Sequence, residues 1–518
     1  LHIRFRCAVP NWAYTGSGDV NSMDIGLEYA LPILTDPIVI GLIIAGTLIG
    51  VIIGALPGLS SSMGVALLLP FSLYLDPIPA IALLSALYCA GTFGGSITAI
   101  LINAPGAPPA VATAFDGYPM ALKGEAGRAL GIAAVSSVSG GIFSLLVLLF
   151  AAPLLARIAY SFGPPEYFAL GVFALSMLAS ISGEAPIKNL IGGCLGLLIA
   201  TVGIDLTTGV ERFTFGVPEL LEGIQFIPVL IGLFAVTELL NQAQELNREK
   251  IAIALSAVKL PSLNDFRRVK NTILRSSGIG IFVGVLPAEG STMAAMIGYN
   301  EAKRWSNRPE EFGKGVIEGV AGPEAANNAA TGGSMVPTLA LGIPGSATAA
   351  VILGGLQVQG LRPGPYLFEE QPGLLYAIFF AMLIANILFL FIGLLGAKVF
   401  SRISLIPSTF LWPTVFALCF VGAYGLNQSM VDVWIMLVAG LVGFVLKKNG
   451  FGPAPIIMGI VLGGLIETSL AQSMIIFDQQ WTAFFSRPIA MVFFILAVVS
   501  LAAAQFRSLL AKVLPHRK

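Results

Sequence analysis

The sequence predicts an all-α polytopic membrane protein built as two related halves, and three observations carry that prediction. Of its 518 residues 56% are hydrophobic and only 11% are charged, against about a quarter charged in an ordinary soluble domain. Apolar stretches able to cross a hydrocarbon layer of about 30 Å as helices recur along almost the whole chain. Gly/Pro phrases are written twice in the same order.

Residues 1–23 are polar and mixed. With no apolar core of their own, they read as a disordered extension or a misassigned start and not as a cleavable signal. A first membrane half is expected over 24–240, a basic cytoplasmic linker over 241–275, a second membrane half over 276–506 and a basic tail over 507–518. The apolar blocks include 38–53, 129–152, 374–397, 431–446 and 489–504. Gly and Pro interruptions leave the total at roughly ten to fourteen transmembrane or re-entrant helices. Long continuous blocks argue against a β-barrel, which would alternate in strands of about ten residues.

The net charge is +0, so no basic surface argues for nucleic acid, and positive residues matter by position. Arg248, Lys250, Lys259, Arg267, Arg268, Lys270 and Arg275 outnumber Glu245, Glu249 and Asp265 in the central linker, which the positive-inside rule assigns to the cytoplasm. Cys7, Cys89, Cys194 and Cys419 lie far apart, without metal-type spacing, and read as packing thiols. The histidines, His2 and His516, sit at the tips, and no Gly-rich stretch ends in the Gly-Lys-Ser/Thr of a phosphate loop. Neither an enzyme's reactive constellation nor an ATP motor is visible, no cofactor or metal cage is expected, and an ion gradient or a partner ATPase is left to drive the protein.

The phrase around Pro57-Gly58, followed by Ser60 and Ser61, returns 230 residues later around Pro287, followed by Ser291 and Thr292. Gly94-Gly95-Ser96 and then Asn103, Pro105 and Gly106 return as Gly332-Gly333-Ser334 and then Pro344 and Gly345, at offsets of 238 and 239. The loop expected over 116–128 carries Lys123 and Arg128, whereas that over 361–373 carries Glu369 and Glu370. This opposition predicts an inverted repeat, a device for alternating access. Each phrase breaks helices and frees backbone amides, which is tolerated at membrane depth only in a buried or cavity-lining position. Hydroxyls and half-helix N-termini there suit a carboxylate, and hydroxyls with carbonyls suit Na+. The expected substrate region therefore comprises the residues just named from these phrases, Pro287 and the loop residues over 116–128 and 361–373 apart, together with Asn327 and Asn328. Taken singly, the glycines could equally serve close helix packing. Glu289, inside a repeated phrase, and Glu324, three residues before Asn327, are the candidate ion-coupling acids for Na+ or H+. Glu238 and Glu467 end apolar segments and read as interfacial.

These phrases resemble the large membrane subunit of the tripartite tricarboxylate transporters. The matching stretches are Gly-Ala-Leu-Pro-Gly-Leu at 54–59, Thr-Phe-Gly-Gly-Ser-Ile at 92–97, Ile-Asn-Ala-Pro-Gly at 102–106 and Asp-Gly-Tyr-Pro-Met at 116–120. They continue with Phe-Gly-Lys-Gly at 312–315, Pro-Glu-Ala-Ala-Asn-Asn-Ala-Ala at 323–330 and Leu-Gly-Ile-Pro-Gly-Ser at 341–346. The resemblance spans about 24–505 and implies a multi-pass subunit of the bacterial inner membrane, embedded in lipid. It would import citrate or another small carboxylate with a cation gradient, beside a small four-span membrane subunit and a periplasmic solute-binding protein. Two departures touch the expected site: Pro287-Ala288-Glu289-Gly290 replaces the family's Pro-Gly start, and Ala104 and Ala107 flank Pro105-Gly106. Tricarboxylates, dicarboxylates, aromatic carboxylates and other organic acids stay open. The competing readings are an integral-membrane enzyme acting on a lipid-linked substrate and a passive channel subunit.

Overall fold

A computed structural model describes residues 33–181, 186–205, 208–244, 261–287, 290–395 and 408–513. The expected N-terminal extension, the core of the linker at 245–260, and Glu289 lie outside these described residues. The first half runs α1 (Pro37–Ala55), α2 (Ser61–Ser72), α3 (Pro77–Ile102), α4 (Ala110–Leu122) and α5 (Ala126–Ala159). It continues with α6 (Pro164–Ile181), α7 (Pro186–Ala200) and α8 (Phe226–Gln242). The second half runs α9 (Leu263–Val285), α10 (Gly290–Arg304), α11 (Ile317–Leu341), α12 (Ala347–Val358) and α13 (Pro372–Leu395). It closes with α14 (Ser408–Asn427), α15 (Met430–Lys448), α16 (Pro453–Ile476) and α17 (Pro488–Val513). Among the described residues 6 helices are long and apolar enough to cross a membrane, namely α1, α3, α5, α13, α15 and α16, and shorter apolar helices of 10–17 residues stand between them. The fold is all-α and polytopic, with one two-stranded ribbon pairing Gly203–Ile204 with Glu211–Arg212.

Local chemistry sets the helix starts. Proline stands at the first turn of α1, α3 and α16, where a missing N–H costs nothing. Asp36 caps α1 through the Ile38 N–H at 2.8 Å, and Ser262 and Asp265 form a reciprocal capping box on α9. Basic residues assigned from sequence to the linker therefore stand on α9, Arg267, Arg268 and Lys270 on its first turns and Arg275 near its middle. The loop expected at 116–128 is helical as far as Leu122, because Pro119 is accommodated within α4 and the chain turns only at Gly124, whose φ is 78°.

Two buried helices form the centre. The whole apolar window of α3 is buried, and α11 is buried along almost its full length. Both are rich in Gly, Ala, Ser and Thr, which lets backbones approach closely where no hydrophobic force separates helix from lipid. The same contact is made twice. A Cβ on Gly54 of α1 would run into the Gly91 carbonyl oxygen of α3, and one on Gly284 of α9 would lie 2.7 Å from the Ala330 carbonyl of α11. Likewise a Cβ on Gly94 would lie 2.6 Å from the Val51 carbonyl, and one on Gly333 would lie 2.7 Å from that of Ile281. Gly94 therefore corresponds to Gly333, one position on from the pairing of the phrases, and the offset is 239 throughout this part of the chain. Across the halves, α5 packs on α11 while α13 packs on α3.

The ends of α5 are tied to different parts of the second half. Arg128, in its first turn, reaches Asp265 at 2.6 Å, and Lys123 just before it donates to the Lys314 carbonyl at 2.5 Å. The Arg128 guanidinium, by hydrogen bonding, holds the Asp265 carboxyl down to about 2. At the far end of α5 the Tyr160 hydroxyl donates to the Pro365 carbonyl at 3.0 Å. The connections that follow α4 and α12 thus lie at opposite ends of α5.

Candidate functional site

Each half contributes two broken helices, and their second members begin around one cavity of ≈ 520 Å³. Its wall takes Ser60 to Met63 from the start of α2, Pro108, Pro109 and Val111 from the start of α4, Ser291 and Thr292 from α10, and Ser346 to Thr348 from α12. Four helix N-termini thus bring their positive dipole ends to a common space, and α2, α10 and α12 also bring N–H groups of their first turns, whereas α4 starts on Pro108 and Pro109 with the Ala110 and Val111 N–H groups bonded to the Ala107 and Pro108 carbonyls. The breaks are built for this. Gly58 turns the chain at φ 90°, in the left-handed region, and Ser60 and Ser346 cap α2 and α12 by accepting from the Met63 and Ala349 N–H groups at 3.3 and 3.1 Å. Asn103 and Gly342, both left-handed, end α3 and α11 before the second break of each half.

Hydroxyls join the halves around the cavity. Ser62 and Thr348 are hydrogen-bonded at 2.9 Å, and Tyr88 meets both Ser334 at 2.9 Å and Ser346 at 3.0 Å, while within the first half Ser61 and Thr92 pair at 3.3 Å. Among the described residues, the charged ones in the wall are Glu238 and Lys447, paired at 2.6 Å. Beside them Leu233 and Phe234 reach the cavity from a π-helical turn, Gly232–Val236, within α8, and Thr237 from the position just after it. Such turns cluster at functional sites.

Of the residues expected from sequence, Gly58, Ser60, Ser61, Pro105, Gly106, Ser291 and Thr292 line this cavity. Pro57 precedes the lining loop, and Pro344 lies in the break between α11 and α12. Gly95 accepts the Gly106 N–H at 3.4 Å, and a Cβ added to Gly106 or to Gly345 would run into the Gly54 or the Gly284 carbonyl, so Gly106 and Gly345 let the two breaks of each half touch. Gly94, Gly332 and Gly333 are close-packing positions, against Val51, Ser144 and Ile281 in turn. Ser334 stands one layer behind the cavity, on Tyr88.

Glu324, Asn327 and Asn328 belong to a second, fully enclosed place on α11. The Glu324 carboxylate has no exposure and accepts three hydroxyls of the first half: Ser96 of α3 at 2.5 Å, Thr113 of α4, and Ser137 of α5 at 2.7 Å. Asn327 and Asn328 are equally buried, yet both the oxygen and the nitrogen of each side chain lack a protein partner, as does the Ser136 hydroxyl. Leaving such groups unpaired costs about 1–3 kcal/mol each. Glu324, Asn328 and Thr331 fall on one helical stripe, and Thr331 contacts Cys89 at 3.8 Å. No three His, Cys, Asp or Glu side chains gather as a metal cage among the described residues.

Lys447, Thr348, Tyr88 and the α8 turn were not singled out from sequence. Only the lysine pair 447–448 closing an apolar block hinted at the first. Glu467, at the end of an apolar segment, is paired with Arg212 of the ribbon.

The sequence profile of the tripartite tricarboxylate transporter TctA family matches residues 40–458. The chain belongs to this family. It is thus a membrane subunit of a tripartite transporter and not an enzyme. A protein of Agrobacterium vitis, described as an uncharacterized 52.8 kDa protein in the TAR-I ttuC′ 3′ region, is 40% identical over 471 residues, 91% of this chain and 93% of its own length. A second from the same organism, described as an uncharacterized protein in the TAR-II ttuC′ 3′ region, is 39% identical over 233 residues, 45% of this chain and 96% of its own. No solved structure matches the chain significantly.

Proposed function

We propose that this subunit carries a small carboxylate inward across a bacterial inner membrane by secondary active transport, coupled to Na+ or H+. The solute would come from a periplasmic binding protein, and a small four-span subunit would complete the membrane part. The observation that carries the reading is the meeting of four helix N-termini at one cavity of ≈ 520 Å³. Each N-terminus acts as about half a positive charge, and free N–H groups beside hydroxyls are the donors that carboxylate oxygens need. The cavity also falls within the range of about 300–1,000 Å³ usual for small-molecule sites.

Coupling is assigned to the enclosed layer behind this cavity. Glu324 brings a carboxylate, and Asn327 and Asn328 bring amide oxygens with no protein partner. Oxygen ligands of this kind suit a dehydrated Na+, and a carboxylate can equally carry a proton. Alternating access follows if the halves are inverted, a reading supported by the placement of the two corresponding connections at opposite ends of α5. The loop pairs of the two halves, tied through Ser62 and Thr348, then move as a unit against the outer helices.

The test is uptake of a panel of radiolabelled tri-, di- and aromatic carboxylates into proteoliposomes holding this chain with its small partner and binding protein. Accumulation of one acid that needs both the binding protein and a Na+ or proton gradient is expected. Failure of every acid under every gradient, with the complex intact, overturns the proposal.

A further inference from the structure

A second cavity, ≈ 430 Å³ and independent of the transport site, opens where the first turns of α9 meet the end of α10. Its wall includes Arg268, Arg275, Trp305, Arg308 and Glu318. The exposed face of α9 shows where it sits relative to the bilayer. Arg267, Arg268 and Lys270 are exposed on its first turns, whereas Leu274 and Phe282 further along are 61% and 69% exposed. Charge gives way to exposed hydrocarbon within about two helical turns, so the water–lipid boundary falls near Arg275. Trp305, 63% exposed and stacked 5.1 Å under the Arg275 guanidinium, is the amphipathic ring expected at that level.

Two groups in this cavity are incompletely served. Among the described residues Arg275 has no carboxylate partner, whereas Arg268 is paired with Glu318 at 2.5 Å and Arg308 with Glu311 at 3.3 Å. Glu318 spends one oxygen on Arg268, and its other oxygen is buried without a donor. A ligand answering both needs must carry an anion for Arg275 and a cationic donor for Glu318, at the edge of the hydrocarbon.

We propose that this cavity holds the headgroup of a zwitterionic aminophospholipid, phosphatidylethanolamine, with its phosphate on Arg275 and its ammonium on the Glu318 carboxylate, whose second oxygen a turn of the side chain brings to the cavity. The acyl chains lie along the exposed apolar face of α9 below Leu274. An anionic headgroup without the ammonium satisfies Arg275 but leaves Glu318 unserved.

Native mass spectrometry of the full chain, purified from vesicles with equal phosphatidylethanolamine and phosphatidylglycerol, tests the assignment. The wild type is expected to retain one phosphatidylethanolamine in preference to phosphatidylglycerol by about tenfold, the size of one charge-assisted hydrogen bond. Arg275→Ala is expected to lose retention of both lipids, and Glu318→Gln to lose the preference but keep a phospholipid. N-acetylated phosphatidylethanolamine keeps the phosphate and removes the positive charge, so with the wild type alone it should fall to the level of phosphatidylglycerol. Equal retention of the three lipids by the wild type overturns the proposal. Displacement of the lipid by an equal concentration of soluble phosphoethanolamine overturns it too, because the ligand would then be water-soluble.

Discussion

Asp116 of the first half accepts the backbone N–H of Gly315 in the second half at 2.7 Å, and that bond fixes the entry to the helix carrying Glu324. The same carboxylate oxygen accepts from Gly313 at 2.9 Å and Val316 at 3.0 Å, while its twin takes the Tyr299 hydroxyl at 2.9 Å. Two stretches that resembled the family separately, 116–120 and 312–315, are thus the two sides of one clasp. Asp116 is fully buried, so Asp116→Ala strands three N–H groups and a hydroxyl and is expected to destabilise by more than about 3 kcal/mol. Asp116→Asn keeps one oxygen for the three N–H groups, and the Tyr299 oxygen can accept from the new amide, so a loss of about 1 kcal/mol is expected. Thermal melting of the purified variants separates the two; equal melting of Ala and Asn would remove the clasp from the account.

Glu324 is held by hydroxyls alone, and a hydroxyl can donate or accept. Glu324→Gln should therefore fold and reach the membrane normally. If the carboxylate couples the cation, gradient-driven accumulation in proteoliposomes drops by about ten- to a hundredfold, while solute exchange without a gradient survives. Wild-type accumulation in this variant would reduce Glu324 to a tie between the halves.

The doubled phrases announced the broken helices, because Pro and Gly act locally, and the cavity wall around Gly58, Ser61, Gly106 and Ser291 was readable from them. Residues that reach the site from elsewhere were not. Lys447 lies 155 positions beyond Thr292, and its meeting with Glu238 depends on how α15 packs against α8. A π-helical turn such as that at Gly232–Val236 leaves no periodic mark in a uniformly apolar run. Similarly, the cage around Glu324 takes one hydroxyl from each of three helices 187–228 residues away, a relation that local spacing does not record. The glycines had two meanings open in sequence, and the close backbone contacts of Gly94, Gly333 and Gly345 give them a packing role beside the lining ones.

The unpartnered amides allow a test in which stability and function part. Replacing a buried polar group that has no partner by an apolar one of similar shape is neutral or stabilising, whereas removing a bonded group is costly. Asn327→Leu and Asn328→Leu should accordingly melt at or above the wild-type temperature in the absence of cation and solute, and lose cation-driven uptake. A lowered melting temperature with uptake intact would mean that structural waters, not a transported ion, occupy these amides.

The bond between Ser62 and Thr348 distinguishes the two possible motions. Their hydroxyls, 2.9 Å apart, join α2 of the first half to α12 of the second. In a background lacking the native cysteines, Ser62→Cys with Thr348→Cys places two thiols where a disulfide can close. Loops that travel together carry the bridge with them, so accumulation should persist after oxidation at a rate close to that of the reduced protein. If the halves instead rock apart to open the cavity, oxidation arrests uptake and a reductant restores it. Uptake before and after oxidation, with bridge formation followed by mass spectrometry, decides between a moving unit and a rocking pair.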